Sequence, residues 1–477
     1  MKVLIIGDNP DITGGVCNYT RPIFNHLSQK INIKYLYSSS GHNPDYNFFF
    51  KTKIAVDKKF NSYGNVFKLV NSQNLNHNYH QLNLDTKSKK NDKAFEDFIK
   101  SEKIDIIHIH EIIGFSSNII NIAKKHGVKV ILTIHEYWFL CSHRVMVDFD
   151  KKICDGPKDF RKCSYCVESV SKNVKNHSYQ KFLFRMKNVF PSILKTLIDI
   201  KNLFTSNTKT VNVNLNFNKI DYLSSYSKKI EKEVANRLKL NIEALNMSDQ
   251  IIGVSRSVKD ILLSYGVSKE KVMIQHIGST IAGTSIEHTK KINPNNITFG
   301  FIGGVGYYKG VHQLVEAFLS MPSEYKKRAN VKIFGGGDQN YIKAIKEIMI
   351  KESDYKDNII FYGRYSAEDI KDISNKIDIS VLPSLCADTA PQTIFESFSC
   401  SLPIIAPSVG GFPDFVIHNK NGLLYQEASV KDLSKKMMQI VDNPLLCNKF
   451  ANNITPMKTI DKNAEELLNL YKKTLVL

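Results

Sequence analysis

The sequence predicts an α/β protein with two doubly wound parallel sheets, and three observations lead to this prediction. Short runs rich in Ile and Val alternate with segments of helical periodicity, which is the pattern of a parallel sheet. Several of these runs end in glycines or in polar residues, as at Gly7 and at Gly303-Gly304. Finally, the chain has 477 residues, more than one hydrophobic core usually holds, so about two domains are expected.

The first half of the chain predicts one of these domains, which we place at residues 1–277. Residues 2–6 form an apolar strand that leads through Gly14 and Gly15 into a helix. A glycine pair at this place can cradle a phosphate or a sugar, although it also serves as a plain structural turn. Four further strands are predicted, with a helix at 119–126 between the first two of them: 104–109, 128–134, 249–255 and 272–277.

The second half predicts a domain at residues 297–458, joined to the first by a hinge at 278–296. The hinge is assigned because that segment is polar and poor in apolar residues. A helix at 311–319 follows the first strand of this domain. The predicted strands are 297–302, 331–334, 359–362, 377–382 and 402–406.

The most informative segment is 377–424, where a buried strand ends at Pro383 and a helix follows a loop. Thr389 is a candidate cap for this helix, with Pro391 in an early position where its missing amide proton costs nothing. The free amides at such a helix start can hold a diphosphate, and Glu396 can accept hydrogen bonds from two vicinal hydroxyls. The alternative is an ordinary strand, loop and helix in which Glu396 is a surface charge.

The pattern around these residues resembles a known family. Seven residues separate Asp388 from Glu396, and SLPIIAPSVGGFPDFV and the Asn421-Gly422 turn follow. This resembles the donor-binding signature of the retaining glycosyltransferases of family 4, within glycosyl transferases group 1. The resemblance implies the GT-B fold, in which two Rossmann-like domains face each other across a cleft and a final helix, here 459–477, crosses back to the first domain. The first acid of the signature is usually Glu and is Asp388 here.

Two further motifs resemble the same family. In Gly303-Gly304 to Lys309-Gly310, Lys309 matches the lysine that neutralises the donor diphosphate, but Gly304 stands where the family has an arginine. In TIHEYWFLC, His135 matches the histidine that approaches the transferred sugar, and Glu136 replaces the usual Asp. An isolated His here would more often be structural. The single tryptophan, Trp138, could stack on a sugar, although core packing fits it better.

The resemblance implies a retaining, metal-independent glycosyltransferase. It would move a hexosyl unit from a nucleotide-diphosphate sugar to a saccharide or lipid-linked saccharide acceptor, in bacterial surface polysaccharide biosynthesis. The donor would bind the second domain and the acceptor the first. The implied catalytic residues are His135, Asp388 and Lys309. The implied donor-binding residues are Gly14, Gly15, Lys309, Arg364, Thr389, Ala390, Gln392, Thr393 and Glu396.

Other functions remain open at this level. A nucleotide-sugar epimerase or a phosphorylase could use the same fold, and without the usual arginine the chain could be a degenerate, non-catalytic binding protein. Arg256 and Arg364 are the alternative cations for the diphosphate.

Half of the eight cysteines lie within 26 residues, at Cys141, Cys154, Cys163 and Cys166. Four thiolates could close a structural zinc site, but the first two spacings are irregular, so reduced and unliganded cysteines remain an equal alternative. No catalytic metal or cofactor is expected.

The net charge of +19 is dispersed rather than concentrated in one tract. The sequence has no basic stripe with interleaved aromatics, so it does not predict nucleic-acid binding. We expect a cytoplasmic protein, since no apolar run is long enough for a membrane span. Residues 179–204 form a basic amphipathic pattern. This pattern allows peripheral contact with the inner membrane, and a helix that covers the first core explains it equally well.

Overall fold

The computed structural model describes residues 1–12, 14–38, 51–63, 65–74, 82–171, 226–283, 291–351 and 353–476, with the single positions 186, 190, 192 and 223. The amphipathic segment 179–204, apart from those single positions, and residues 284–290 of the predicted hinge therefore lie outside the described residues. None of the helices in the described ranges has an apolar stretch long enough to cross a bilayer.

The first half of the chain folds around a sheet to which the described residues contribute eight strands, in the order β3-β4-β2-β1-β5-β6-β7-β8. Neighbouring strands are parallel except for the β3–β4 pair at one edge. The strands are β1 (Lys2–Gly7), β2 (Asn32–Ser38), β3 (Lys53–Val56), β4 (Val66–Val70), β5 (Ile106–Ile109), β6 (Lys129–Ile134), β7 (Gln250–Gly253) and β8 (Val272–Ile274).

The central strands of this sheet are almost completely buried, as expected for parallel strands covered on both faces. Ser227 and Ser255 begin two of the covering helices, and each accepts a hydrogen bond from an amide in the first turn. The helices are α1 (Gly15–Ser28), α2 (Asn83–Thr86), α3 (Lys89–Glu102), α4 (Asn118–Lys125), α5 (Phe160–Ser171), α6 (Lys228–Met247) and α7 (Arg256–Ser264).

The second half folds around a fully parallel sheet with strand order β11-β10-β9-β12-β13-β14. The order reverses between β9 and β12, and the loops that leave these two strands meet at the carboxyl edge of the sheet. An open α/β sheet binds ligands at such a switch point. The strands are β9 (Ile297–Ile302), β10 (Ala329–Phe334), β11 (Ile359–Gly363), β12 (Ile379–Val381), β13 (Ile404–Pro407) and β14 (Gly422–Tyr425).

The helices of the second half, except the last one, pack on both faces of this sheet and enclose a core of their own. Its strands are again mostly buried, as in the first sheet. The helices are α8 (Val311–Leu319), α9 (Ser323–Lys326), α10 (Gln339–Lys351), α11 (Ile370–Ser374), α12 (Gln392–Ser399), α13 (Phe412–Phe415), α14 (Val430–Asp442), α15 (Leu445–Ala451) and α16 (Ile460–Val476).

The last helix, α16, lies against the first half of the chain. The Tyr19 hydroxyl of α1 donates to Asn463 Oδ1 at 2.8 Å, and the Tyr471 hydroxyl lies 2.6 Å from His108 Nδ1 on β5. Both tyrosines are buried, and α16 contributes Leu467 to the first hydrophobic core. The end of the chain is therefore an integral part of the first core.

Candidate active site

The carboxyl edges of the two sheets face each other, and direct hydrogen bonds join them. The Thr389 hydroxyl donates to the carbonyl of His135 at 2.6 Å, and the Gln392 side chain donates to the carbonyl of Gly15 at 2.6 Å. Phe395 of α12 belongs to the core of the first half, and Ala390 packs against that core. The predicted donor-binding segment therefore forms one wall of a closed cleft.

The beginning of α12 differs from the sequence prediction. Pro391 occupies the N-cap position in an extended conformation, with no side-chain cap, so the prediction that Thr389 caps the helix is wrong. The Thr389 hydroxyl is instead used by the hydrogen bond across the cleft. Because proline has no amide proton, the first helical amides available to an anion belong to Gln392 and Thr393.

Lys309 and Asp388 form an ion pair on this wall, with the Lys309 Nζ atom 2.6 Å from Asp388 Oδ2. Asp388 raises the pKa of Lys309, so the ammonium stays charged. The loop that contains Lys309 can approach the loop that contains Asp388 because Gly310 has no side chain and adopts a φ of 68°. A Cβ atom on Gly310 would lie 1.8 Å from the carbonyl oxygen of Pro383. The structure thus joins the proposed diphosphate-binding and sugar-binding side chains directly.

Glu396 lies in the middle of α12, and the Tyr365 hydroxyl donates to its Oε2 atom at 3.2 Å. Burial raises the pKa of Glu396 to about 7. Thr393 lies next to Gly303, since a Cβ on Gly303 would be 3.3 Å from its methyl carbon. The sequence analysis missed Tyr365. The sequence feature that could have identified it is an aromatic residue two positions after Gly363, the residue at which β11 ends.

The two alternative cations have different surroundings. Arg364 is exposed and lies over Gly336, where a Cβ atom would be 2.3 Å from the Arg364 Cγ. Arg256 pairs with Asp414, through its amide at 2.8 Å and through Nε at 3.3 Å. Gly304 is exposed, and a Cβ atom added there would meet nothing within 4 Å. The place of the family's arginine is therefore open space.

The opposite wall carries His135, which follows β6. Its Nε2 atom lies 3.1 Å from His110 Nδ1, and the ring of Tyr19 lies 5.1 Å away. Burial lowers the pKa of His135 to about 3, so the imidazole is neutral and can exchange hydrogen bonds with a hydroxyl group. A Cβ atom on Gly14 or Gly15 would meet nothing within 4 Å, so this glycine turn leaves room in the cleft.

A cluster of charged side chains lies beside His135. Arg144 Nη1 lies 3.6 Å from Glu136 Oε2, while Glu111 accepts hydrogen bonds from the amides of Ile112 and Ile113. Burial raises the pKa of both glutamates. Polar groups thus line the wall opposite the donor segment. Trp138 does not join them, because it is 6% exposed and packs under the Arg237 guanidinium.

The four clustered cysteines converge, since all of them line one cavity of about 30 Å³ together with His143. They are free thiols, and burial raises the pKa of Cys163 to about 12. Across the described part of the chain, no three His, Cys, Asp or Glu side chains form a group that could hold a metal ion. The structure therefore does not support the zinc prediction and agrees with the alternative of reduced cysteines.

Comparison with solved structures defines the class of fold. Sucrose-phosphate synthase from Thermosynechococcus elongatus superposes with a TM-score of 0.60 at 14% identity, over 100% of this chain and 99% of that one. Anabaena HepE in complex with UDP superposes with a TM-score of 0.59 at 12% identity, over 99% and 100% of the two chains. The two facing parallel α/β sheets are the GT-B fold.

Sequence comparison matches part of the second half to a known family. Residues 284–456 match the family model described as glycosyl transferases group 1.

Among curated relatives, an uncharacterized glycosyltransferase of Methanocaldococcus jannaschii is 23% identical, over 51% of this chain and 64% of its own. The capsular polysaccharide biosynthesis glycosyltransferase CapM of Staphylococcus aureus is 23% identical, over 44% and 57%. The matches thus span less than two thirds of these relatives.

Proposed function

We propose that the protein is a glycosyltransferase that moves a sugar from a nucleotide-diphosphate donor to an acceptor bound in the cleft. The observation that carries the proposal is the convergence of three groups on one wall: the first amides of α12, the Lys309 ammonium and the Glu396 carboxylate. Amides and an ammonium suit a diphosphate, and a carboxylate suits the two ribose hydroxyls. The neutral imidazole of His135 lies on the opposite wall, and this arrangement supports a donor sugar held between the two halves.

The proposal includes retention of configuration and metal-independent chemistry, as in glycosyltransferase family 4. Charge develops on the diphosphate as the glycosidic bond breaks, and Lys309 and the α12 amides would stabilise it. Asp388 is paired with Lys309. This pairing favours a role in which Asp388 orients the lysine and a sugar hydroxyl, rather than a role as nucleophile. The acceptor hydroxyl would attack from the face that the diphosphate leaves and pass its proton to the departing phosphate.

The remaining assignments are also proposals. Residues 1–277 would bind the acceptor, residues 297–458 the donor, and residues 278–296 would act as the hinge for cleft opening. We also propose a saccharide or lipid-linked saccharide acceptor, an enzyme located in the cytoplasm or at the cytoplasmic face of the membrane, and a role in bacterial surface polysaccharide biosynthesis. The last of these accords with the name of the relative CapM, which refers to capsular polysaccharide biosynthesis. The UDP bound to Anabaena HepE makes uridine donors the first to test.

The test is a donor panel with a defined stereochemical readout. Purified protein is incubated with UDP-, GDP- and ADP-sugars and a set of saccharide acceptors, and NMR determines the anomeric configuration of any product. The proposal predicts transfer from one nucleotide series with the donor's anomeric configuration kept, and it predicts that Lys309→Met loses this transfer activity.

An inverted product would refute retention. Turnover without an acceptor would indicate an epimerase, and dependence on inorganic phosphate a phosphorylase. Nucleotide binding without turnover would indicate a binding-only protein.

A further inference from the structure

Glu396 has an unusual environment for a residue that must accept hydrogen bonds from a ligand. It is largely buried, and within the described residues the titratable groups that act on it or feel its charge are the Tyr365 hydroxyl and the Cys400 thiol. Neither group carries a positive charge. Burial without a cation favours the protonated carboxyl, which would lose one of its two acceptor oxygens.

We propose that Tyr365 is a positioning residue for the donor site, whose hydroxyl holds Glu396 in the ionised form and in the orientation that binds the ribose. The proposal rests on the proposed function for the identity of the ligand. The hydroxyl donates to Oε2 at 3.2 Å, so it stabilises the carboxylate, and Oε1 would accept the hydrogen bond from the ligand.

Tyr365 is well placed for this role because its ring is anchored. It follows β11 in the chain, and its ring packs against a buried apolar cluster. That cluster contains Ile302, Phe334, Ile370, Ile373, Ile377 and Leu402. A ring held by packing presents its hydroxyl at a fixed point, so Glu396 does not have to lose rotamer freedom when the ligand binds.

The experiment compares the wild type with Tyr365→Phe, which keeps the ring and removes only the hydroxyl. Tyr362→Phe is the matched control, because Tyr362 lies three residues away, is 46% exposed and stacks on Phe334. The first readout is the titration of the Glu396 side-chain carbon in ¹³C-glutamate-labelled protein without ligand, assigned with Glu396→Gln. The second is the affinity for UDP-glucose, with GDP-mannose and ADP-glucose in parallel, as a function of pH.

We expect the titration midpoint of Glu396 to rise by about one pH unit in Tyr365→Phe and to stay unchanged in Tyr362→Phe. The affinity for the donor should fall about fivefold near neutral pH and recover at about pH 9, where the carboxyl ionises without help. An unchanged midpoint, or a loss of affinity that is equal at all pH values, would overturn the proposal. If the wild type binds none of the donors, the proposed function fails, while the ligand-free titration still decides the role of Tyr365.

Discussion

The ammonium of Lys309 lies 2.6 Å from the carboxylate of Asp388, on two loops that leave neighbouring strands of the second sheet. A diphosphate that binds Lys309 must therefore share the lysine with Asp388 or displace it. Since Lys309 is 45% exposed and Asp388 is 21% exposed, the pair is accessible from the cleft. We therefore propose that Lys309 and Asp388 act as one unit in donor binding, and the first prediction tests the lysine of this pair.

The first prediction concerns Lys309→Met, which removes the ammonium and keeps most of the side-chain volume. We expect kcat/KM for the donor to fall roughly 10²- to 10³-fold, because the charge that develops on the leaving diphosphate loses its stabilising group. Steady-state kinetics of donor consumption measure the effect. Lys420→Met is the control, since Lys420 is exposed at the amino end of β14. Equal activity of the two variants would contradict a catalytic role for Lys309.

The second prediction concerns Gly304→Arg, which restores the family's arginine. Gly304 is exposed, and a Cβ atom there meets nothing within 4 Å, so a side chain can start from this position without a clash at Cβ. A hydrogen bond to a charged group contributes about 1.5–3 kcal/mol, so we expect donor affinity to rise about tenfold. Calorimetric titration with the preferred nucleotide measures it. A variant that folds normally and binds no better would show that the diphosphate lies away from Gly304.

The third prediction is a pH dependence that arises from Glu396. Its pKa is raised to about 7 in the fold, so the folded protein binds this proton more tightly than the unfolded chain. The free energy of unfolding should therefore fall as pH rises from about 4.5 to about 7, and Glu396→Gln should lack this component.

Donor binding should show the opposite trend, because ribose hydroxyls donate to the ionised carboxylate. Affinity for a nucleotide sugar should increase as pH rises through about 7, and Glu396→Gln should bind weakly with a flat profile. A nucleotide sugar is a better probe than free UDP, whose terminal phosphate titrates in the same range. A wild-type profile as flat as that of Glu396→Gln would contradict the assignment of this carboxylate to the ribose.

The fourth prediction concerns the anchoring of α16. Tyr471 is fully buried, and its hydroxyl pairs with His108, whose other ring nitrogen lies 2.8 Å from Thr133 Oγ1. Tyr471→Phe leaves His108 Nδ1 without this partner and should lower the free energy of unfolding by about 1–3 kcal/mol. Urea denaturation measures the change, with the exposed Tyr362→Phe as reference. Equal stability of the two variants would show that the buried pair contributes nothing.

The sequence predicted the central strands of both sheets because parallel strands that are buried on both faces form continuous apolar runs, as in β1 and β9. It did not predict β2, β3, β4 or β14. β3 pairs antiparallel at the sheet edge and leaves Lys53 and Val56 exposed, so its apolar signal is short and weak.

The site was only partly predictable for a related reason. Glu396 and Lys309 could be found because each follows a strand and loop at a recognisable spacing. The contact between Lys309 and Asp388 depends on two loops far apart in the chain, and the role of Tyr365 depends on how its ring packs. Thr389 was misassigned because the hydroxyl that could cap α12 finds a partner across the cleft. Tertiary contacts of this kind leave no local pattern.

We propose that the wall formed by α12 and Lys309 binds a nucleotide-diphosphate sugar. The most direct measurement is the thermal stability of the wild type, Glu396→Gln and Lys420→Met against UDP, GDP, ADP and their sugar conjugates. A ligand at a hundred times its dissociation constant should add about 2.7 kcal/mol to the free energy of unfolding. We predict that one nucleotide series stabilises the wild type and Lys420→Met and stabilises Glu396→Gln much less. No stabilisation by any series, or equal stabilisation of all three proteins, would contradict the claim.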